Sequence, residues 1–343
     1  MVIHHGDLKT NLLVRRPLGP RAASPFVGRD NELRGLVTRL DRAAEGKGST
    51  IFLTGQPGIG KTRLVREALA VARKHGFRVL EGRAFPLETG LAYAPVVDAF
   101  DLLIRSFDPV RLAALVNDLP DLGRLFGGLE FFAPAIPLEG LGDPALQKTR
   151  LFGAMSRLLK RLAKEAPVAL FVDDVHWADP ASIDLLHYIA RGLANQPVLL
   201  LATYGFGTLD ASQGVQALIV SLEREGLAQE IVVPPLSSTA VNQLVRGILD
   251  GEPPGDLLDL IDKRARGTPL FIESLLASLV DSGDLARIPS ENDGWILNAE
   301  PSVDLPPSIR RLILDRLRRL PPGDRRILEL LVTTQVGLTG RKV

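Results

Sequence analysis

Short apolar runs alternate along the first two thirds of the chain with longer segments whose apolar residues recur every three or four positions. Clear runs cover residues 50–54, 168–172 and 198–203, and two weaker ones cover 77–81 and 230–233. Buried parallel strands are continuous in apolar residues, whereas amphipathic helices have a 3.6-residue period. The pattern therefore predicts strands alternating with helices, which is an α/β fold with a parallel sheet flanked by helices.

The predicted helices occupy the intervals between these strands. Apolar stripes with helical spacing lie at residues 33–40, 61–75, 92–107, 151–162, 180–190 and 218–226. Residues 118–144 are rich in glycine, proline and phenylalanine, and we expect a loop with short helices there.

The pattern changes after Pro234-Pro235. Three short helices are predicted at about 238–249, 255–265 and 269–281, followed by a β-hairpin over 285–297 whose turn is Asn292-Asp293-Gly294. Two more helices are expected to begin near Pro307 and Pro322. The length of 343 residues fits more than one domain.

A glycine-rich stretch joins the first predicted strand to the helix that follows it. It fits the pattern G-x-x-x-x-G-K-[ST] with Gly55, Gln56, Pro57, Gly58, Ile59, Gly60, Lys61 and Thr62. In this motif backbone N–H groups cradle phosphates, the lysine reaches the β- and γ-phosphates, and the hydroxyl binds Mg²⁺. The stretch also ends on a helix N-terminus, which attracts anions. It predicts a nucleotide-phosphate site.

A pair of carboxylates follows the strand at 168–172. Ligands bind at the carboxyl edge of open α/β sheets, so Asp173 is predicted to hold Mg²⁺ and Asp174 to orient or deprotonate an attacking water. The alternative is a solvated acidic turn. Asp179 before Pro180 fits a helix N-cap. His176 fits either a γ-phosphate contact or a packed loop histidine.

Composition limits the classes of protein to consider. The formal net charge is +1, which does not favour a nucleic-acid partner, and seven arginines between 310 and 326 are interspersed with acids. Cysteine is absent, so disulfides and thiolate metal sites are excluded. We find no apolar run of about 18 residues and no signal-peptide pattern, and we expect a cytoplasmic protein with no membrane contact.

The motifs taken together resemble a known family. They are Phe26 to Arg29, the glycine-rich loop, Leu170 to Asp179 (LFVDDVHWAD), Ala202 to Tyr204 and Gly267 to Glu273. In this order they resemble the origin-recognition-like AAA+ ATPase domain of the STAND class. That domain occurs in large ATP-binding LuxR-type transcription regulators and in cyclase- or kinase-linked signalling ATPases. The resemblance covers about residues 25–335.

The resemblance implies an ATP/ADP site with Mg²⁺. Asp174 and Lys61 would be catalytic, and Thr62 and Asp173 would hold the metal. The nucleotide would be bound by the following residues: Phe26, Val27, Arg29, Gly55, Gln56, Pro57, Gly58, Ile59, Gly60, Lys61, Thr62, Arg63 and Pro269. It also implies self-association on ATP binding, while the effector domain or partner stays unidentified and DNA binding by this chain is not expected.

The resemblance further divides the chain. It implies an AAA+ nucleotide-binding domain at 25–235, a helical lid with a hairpin at 236–300, and the start of a winged-helix domain at 301–343. The basic, proline- and glycine-containing composition of residues 1–24 predicts a flexible lead-in before them. The chain stops inside that last domain, which we therefore expect to be incomplete.

Two positions depart from the family's pattern. The arginine that usually follows Thr-Tyr is Gly205 here, and Thr268 replaces the asparagine of the lid's Gly-Asn-Pro. An arginine near a transferring phosphate speeds hydrolysis, so weak turnover is expected. The sequence thus predicts an ATP-binding signalling switch. The alternatives are a non-hydrolysing nucleotide-binding interaction module and a small-molecule P-loop kinase.

Overall fold

The computed structural model describes residues 24–88, 90–126, 129, 132, 143–205, 213–287, 294–298, 323 and 326. Within them the chain divides into two compact units. We call Arg29–Pro234 the sheet unit, and the residues up to Gly28 together with those from Pro235 onward the helical unit. The predicted winged-helix segment apart from Gly323 and Arg326, residues 1–23 of the predicted lead-in at 1–24, and the turn residues Asn292 and Asp293 lie outside the described residues.

A five-stranded parallel sheet forms the centre of the sheet unit. Its strands are β1 (Ser49–Gly55), β2 (Arg78–Arg83), β3 (Val168–Asp173), β4 (Val198–Gly205) and β5 (Ala228–Val232). They lie in the order β2-β3-β4-β1-β5, and every neighbouring pair is parallel. The predicted α/β fold is confirmed.

Seven helices flank this sheet. They are α1 (Asp30–Ala44), α2 (Lys61–Lys74), α3 (Ala94–Ser106), α4 (Pro109–Val116), α5 (Pro144–Glu165), α6 (Pro180–Arg191) and α7 (Gln213–Arg224). Short 3-10 turns at Pro120–Arg124 and Val175–Trp177 complete the unit.

Side-chain alternation along β3 separates two layers of core. Val168, Leu170 and Val172 pack with buried residues of α3 to α7. Ala169 and Phe171 are also buried but point to the opposite face, which α1 and α2 cover. The central strands β1, β3 and β4 are therefore buried on both faces, which explains their nearly continuous apolar runs, whereas the edge strands β2 and β5 are partly exposed.

Two elements differ from the sequence-based expectation. Strand β2 runs from Arg78 to Arg83 rather than over 77–81, so it continues to the carboxyl edge of the sheet. Helix α4 was not predicted. Its signal is present in Asp108-Pro109, because the Asp108 side chain accepts a hydrogen bond from the Arg111 N–H and proline occupies the first turn.

The helical unit contains α8 (Ser238–Leu249), α9 (Gly255–Ala265), α10 (Pro269–Ser282) and the antiparallel pair β6 (Leu285–Arg287) and β7 (Trp295–Leu297). These elements lie within two residues of the predicted ones. Within this unit the segment before Gly28 packs on α8. A Cβ placed at Gly28 would lie 2.3 Å from the Ala240 Cβ, and one at Gly247 would lie 2.4 Å from the Pro25 Cγ.

Among the described helices, we find none that combines the length and the apolar character needed to cross a membrane.

The contact between β2 and α3 depends on a glycine, and this dependence can be tested. A Cβ at Gly82 would lie 1.9 Å from the Pro95 carbonyl oxygen and 2.9 Å from the Ala99 nitrogen, both backbone atoms. We expect Gly82→Ala to lower the free energy of unfolding by about 1–3 kcal/mol, because the helix must move away from the sheet.

Urea denaturation measures this change, and Gly153→Ala in α5 is the matched control. A Cβ there meets only the Tyr188 hydroxyl, at 4.0 Å, so we expect a neutral or slightly stabilising effect of about 0.5–1 kcal/mol. Equal effects of the two substitutions would contradict the packing argument.

Candidate nucleotide site

The glycine-rich loop joins β1 to α2, as the sequence predicts. Strand β1 ends at Gly55 and α2 begins at Lys61. Gly58 and Gly60 have φ angles of +80° and +100°, a left-handed conformation that residues with a Cβ rarely adopt. The loop can therefore turn its backbone tightly around the start of α2, which no side chain caps. The first N–H groups of that helix point to the carboxyl edge of the sheet.

The ammonium group of Lys61 lies against this loop. Its Nζ donates hydrogen bonds to the carbonyl oxygens of Gly55 at 3.0 Å and Gln56 at 3.3 Å, and the side chain is largely buried. A buried positive charge beside a helix N-terminus gives the loop a strong preference for an anion.

Arg29 also contacts the loop. Its Nη2 donates to the Ile59 carbonyl oxygen at 3.2 Å, and its Nη1 lies 3.5 Å from a carboxylate oxygen of Glu32. Burial lowers the pKa of the Arg29 guanidinium, and Glu32 partly offsets that effect. The resemblance implies that Arg29 binds the nucleotide. The structure places its side chain on the backbone of the phosphate loop.

Asp173 ends β3 with a carboxylate that is only 2% exposed. The Thr62 hydroxyl lies 2.9 Å and 3.1 Å from its two oxygens, and the Thr203 hydroxyl donates to Oδ1 at 2.5 Å. The structure thus joins the predicted metal residues Thr62 and Asp173. Thr203 belongs to the Ala202–Tyr204 motif of the resemblance but had no predicted role, and its contact with Asp173 makes it an additional site residue.

Asp174 has a left-handed backbone, with φ of +55°, and opens the 3-10 turn. Its N–H donates to the Thr203 hydroxyl at 2.9 Å. Its carboxylate accepts a hydrogen bond from Arg83 Nη2 at 3.0 Å. The predicted catalytic acid is therefore engaged in an ion pair.

Arg83 is a site residue that sequence reasoning missed. It ends β2 directly beside Asp173, its partner in the strand register, and its guanidinium lies over the Phe85 ring at 5.3 Å. A charged residue at the carboxyl end of a strand indicates a possible site residue. The predicted strand ended at residue 81, so this indication applies only to the observed β2, which extends to Arg83.

Asp179 holds the segment after the 3-10 turn in place. Its Oδ1 accepts the Ser182 N–H at 3.0 Å, which confirms the predicted N-cap of α6, and its Oδ2 accepts the Tyr93 N–H at 3.1 Å. His176 in the turn is buried and lies next to Gly205.

The other predicted nucleotide-binding residues are more dispersed. Gln56 is exposed and Pro57 is half-buried at the loop, and Arg63 pairs with Glu67 at 2.8 Å along α2. Phe26, Val27 and Pro269 belong to the helical unit, where Val27 packs on its core and Pro269 is the first residue of α10. Their contact with a nucleotide stays a prediction.

The described residues contain no group of three His, Cys, Asp or Glu side chains placed to hold a metal ion. The candidate metal site is the pair of oxygen donors Thr62 and Asp173, which lie in contact. This composition is typical of Mg²⁺ bound through one or two protein oxygens together with substrate phosphates.

A protein-family model and two curated proteins match parts of this chain. The family model described as AAA ATPase domain matches residues 25–201. A protein of Rhizobium meliloti (strain 1021) is 28% identical over 271 residues, which are 74% of this chain and 25% of that protein. The hybrid signal transduction histidine kinase G of Dictyostelium discoideum is 25% identical over 181 residues, 49% of this chain and 5% of that protein. The chain thus spans a quarter or less of these relatives.

The chain is also similar, at low sequence identity, to two solved structures. A Signal Transduction ATPase with Numerous Domains (STAND) protein from Pyrococcus horikoshii is 15% identical with a TM-score of 0.41, over 90% of this chain and 35% of that one. The Aeropyrum pernix ORC1 protein in complex with DNA is 20% identical with a TM-score of 0.43, over 92% of this chain and 74% of that one.

The family match covers more than half of the chain and includes the phosphate loop, the paired aspartates and the start of β4. The phosphate loop and the paired aspartates lie together at the carboxyl edge of the sheet. The chain therefore belongs to the AAA ATPase domain family, and it forms a nucleotide-binding domain of that kind.

Proposed function

We propose that this chain is an ATP-binding switch of the STAND type, which hydrolyses ATP slowly and passes its nucleotide state to the helical unit. The observation that supports it most is the contact of Thr62 with Asp173 at 2.9 Å, beside a phosphate loop that carries the buried Lys61. The contact pairs two hard oxygen donors at a site that already favours an anion.

Thr62 and Asp173 fit Mg²⁺. Both offer oxygen, the donor that this ion prefers, and the ion would join Arg83, whose Nε lies 3.9 Å from Asp173 Oδ2, in balancing the charge of that buried carboxylate. When bound, Mg²⁺ would neutralise charge on the β- and γ-phosphates. Lys61 and the first N–H groups of α2 would bind the phosphates, and Arg29 would keep the loop in shape through the Ile59 carbonyl.

Asp174 is the residue placed to take a proton from an attacking water. Its side chain is a quarter exposed, so water reaches it, and the Thr203 hydroxyl fixes its backbone. Arg83 competes for the same carboxylate oxygen. The ion pair occupies a carboxylate oxygen that an attacking water would otherwise approach. We therefore propose a slow basal reaction, in which Asp174 becomes active as the base when Arg83 releases it.

The proposed lid action depends on two adjacent residues. Arg29 binds the phosphate loop of the sheet unit, and Gly28 packs against Ala240 of the helical unit. A change at the loop that shifts Arg29 would therefore act directly on a residue packed in the helical unit. This continuity supports nucleotide-dependent lid movement, with Pro269 of α10 as the residue we propose to contact the nucleotide from the lid.

A second candidate function is a non-hydrolysing interaction module that holds ATP or ADP structurally. Gly205 in place of the expected arginine and the Arg83–Asp174 pair favour it. Clear phosphate release by the wild-type chain at rates above background would reject this reading.

The signalling role and the assembly state are also proposals. The matched Dictyostelium protein is a hybrid signal transduction histidine kinase, of which this segment is a small part. This supports a module that works beside other domains of a signalling or transcription-regulating protein in the cytoplasm and self-associates when ATP binds.

Lys61→Ala tests the binding site. Loss of the buried ammonium removes a charged contact to the phosphates, so we expect at least a tenfold loss of ATP affinity, measured by calorimetry. Lys74→Ala, at the exposed far end of the same helix, is the control and should bind normally. Unchanged affinity in the Lys61 variant would contradict the proposal.

Asp174→Ala separates hydrolysis from binding. We expect phosphate release to fall by roughly 100-fold while ATP affinity stays within about twofold, because a positioned base contributes about that much to rate. The proposed role would be wrong if the variant hydrolysed ATP as fast as the wild type.

Arg83→Gln tests the restraint on Asp174. Removing the guanidinium frees the carboxylate, so we expect basal phosphate release to rise several-fold without tighter ATP binding. Arg73→Gln is the matched control, since Arg73 is a similarly exposed arginine in an ion pair with Glu81 of β2. A fall in turnover for Arg83→Gln alone would show that Arg83 assists the reaction instead of restraining it.

A further inference from the structure

His176 lies against the residue that departs from the family pattern. A Cβ placed at Gly205 would be 3.9 Å from His176 Cε1 and 4.0 Å from Nε2, which is ordinary van der Waals contact. The imidazole therefore borders the space into which a side chain at position 205 would begin to extend. His176 is buried, so protein atoms rather than solvent surround its ring.

The face of the sheet on which the His176 ring lies determines which groups the ring can contact. Along β4 the Tyr204 side chain packs into the core formed with α3 to α7, so Thr203 and Gly205 point to the opposite face. On that face the Thr203 hydroxyl contacts Asp173, which contacts Thr62 of the phosphate loop. The His176 ring thus lies on the phosphate-loop face, one side-chain position beyond Thr203.

The strand register brings this position beside the loop itself. Gly205 pairs with Gly55, the first residue of the phosphate loop, and parallel strands lie about 4.8 Å apart. The Gly55 carbonyl oxygen in turn accepts a hydrogen bond from Lys61 Nζ. An imidazole adjoining Gly205 is therefore close to the end of the loop where Lys61 would meet the β- and γ-phosphates.

We propose that His176 contacts the terminal phosphate of ATP and takes over the sensing task for which the resemblance expects an arginine at position 205. The proposal rests on the nucleotide site proposed above. An imidazole N–H donates one directed hydrogen bond to a phosphate oxygen, whereas a guanidinium donates two in parallel. ADP lacks this phosphate, so His176 distinguishes the two nucleotides and leaves the contacts of the shared phosphates unchanged.

Calorimetry on the whole chain tests the assignment, with Mg²⁺ present and with AMP-PNP and ADP as the titrants. The wild type is expected to bind AMP-PNP more tightly than ADP. His176→Ala should lose roughly tenfold in AMP-PNP affinity with ADP affinity unchanged, because the hydrogen bond is made only to the terminal phosphate. His176→Gln, which keeps an N–H donor near the Nε2 position, should retain part of the preference.

His187→Ala is the matched control. His187 is a half-buried histidine on α6, close to Ser221, and its substitution should leave the ratio of the two affinities at the wild-type value. Circular dichroism establishes that each variant is folded before its affinities are compared.

The outcomes are distinguishable. The inference is overturned if His176→Ala keeps the wild-type ratio of affinities, if it weakens both nucleotides equally as a packing residue would, or if the wild type shows no preference. If the wild type binds neither nucleotide, the proposed function itself fails.

Discussion

A buried carboxylate governs the arrangement of the site. Asp173 is almost fully enclosed at the carboxyl edge of the sheet, and a charge in that position is costly unless hydrogen bonds compensate it. Compensation comes from the hydroxyls of Thr62 at the start of α2 and Thr203 near the end of β4, and from the Arg83 Nε 3.9 Å away at the end of β2. These contacts fix the phosphate-loop helix against the middle of the sheet.

The same contacts extend to the neighbouring groups. Thr203 also accepts the Asp174 N–H, which holds that residue in a left-handed conformation and directs its carboxylate to Arg83. The end of β4 therefore supports both aspartates, and β2 contributes the counter-charge. Three parallel strands and one helix N-terminus are needed to build a site that occupies only a few residues of sequence.

Features set by neighbouring residues were predictable from the sequence. The phosphate loop, the Asp179 cap before Pro180 and the helices after Pro235 each depend on contacts within a few positions, so spacing alone locates them. The parallel sheet was predictable from the alternation of apolar runs and helical stripes. The β2-β3-β4-β1-β5 order agrees with that fold, although periodicity does not specify an order.

Contacts between distant strands were not predictable. Arg83 and Asp174 are 91 positions apart, and they meet only because β2 pairs with β3 and reaches the carboxyl edge. Thr203 reaches the aspartates through the pairing of β3 with β4. His176 and Gly205 likewise meet where the 3-10 turn packs on the end of β4. Sequence reasoning singled out Asp173, Asp174, His176 and Gly205, but it missed Arg83 and did not show which side chains share an edge.

The Mg²⁺ dependence of nucleotide binding tests the central claim most directly. The affinity for AMP-PNP is measured by calorimetry for the wild-type chain and for Asp173→Asn. Each protein is titrated once with Mg²⁺ present and once with EDTA. If Thr62 and Asp173 hold the metal of a nucleotide complex, Mg²⁺ should raise the wild-type affinity by tenfold or more and have little effect on the variant. Equal wild-type affinity in both conditions would contradict the account.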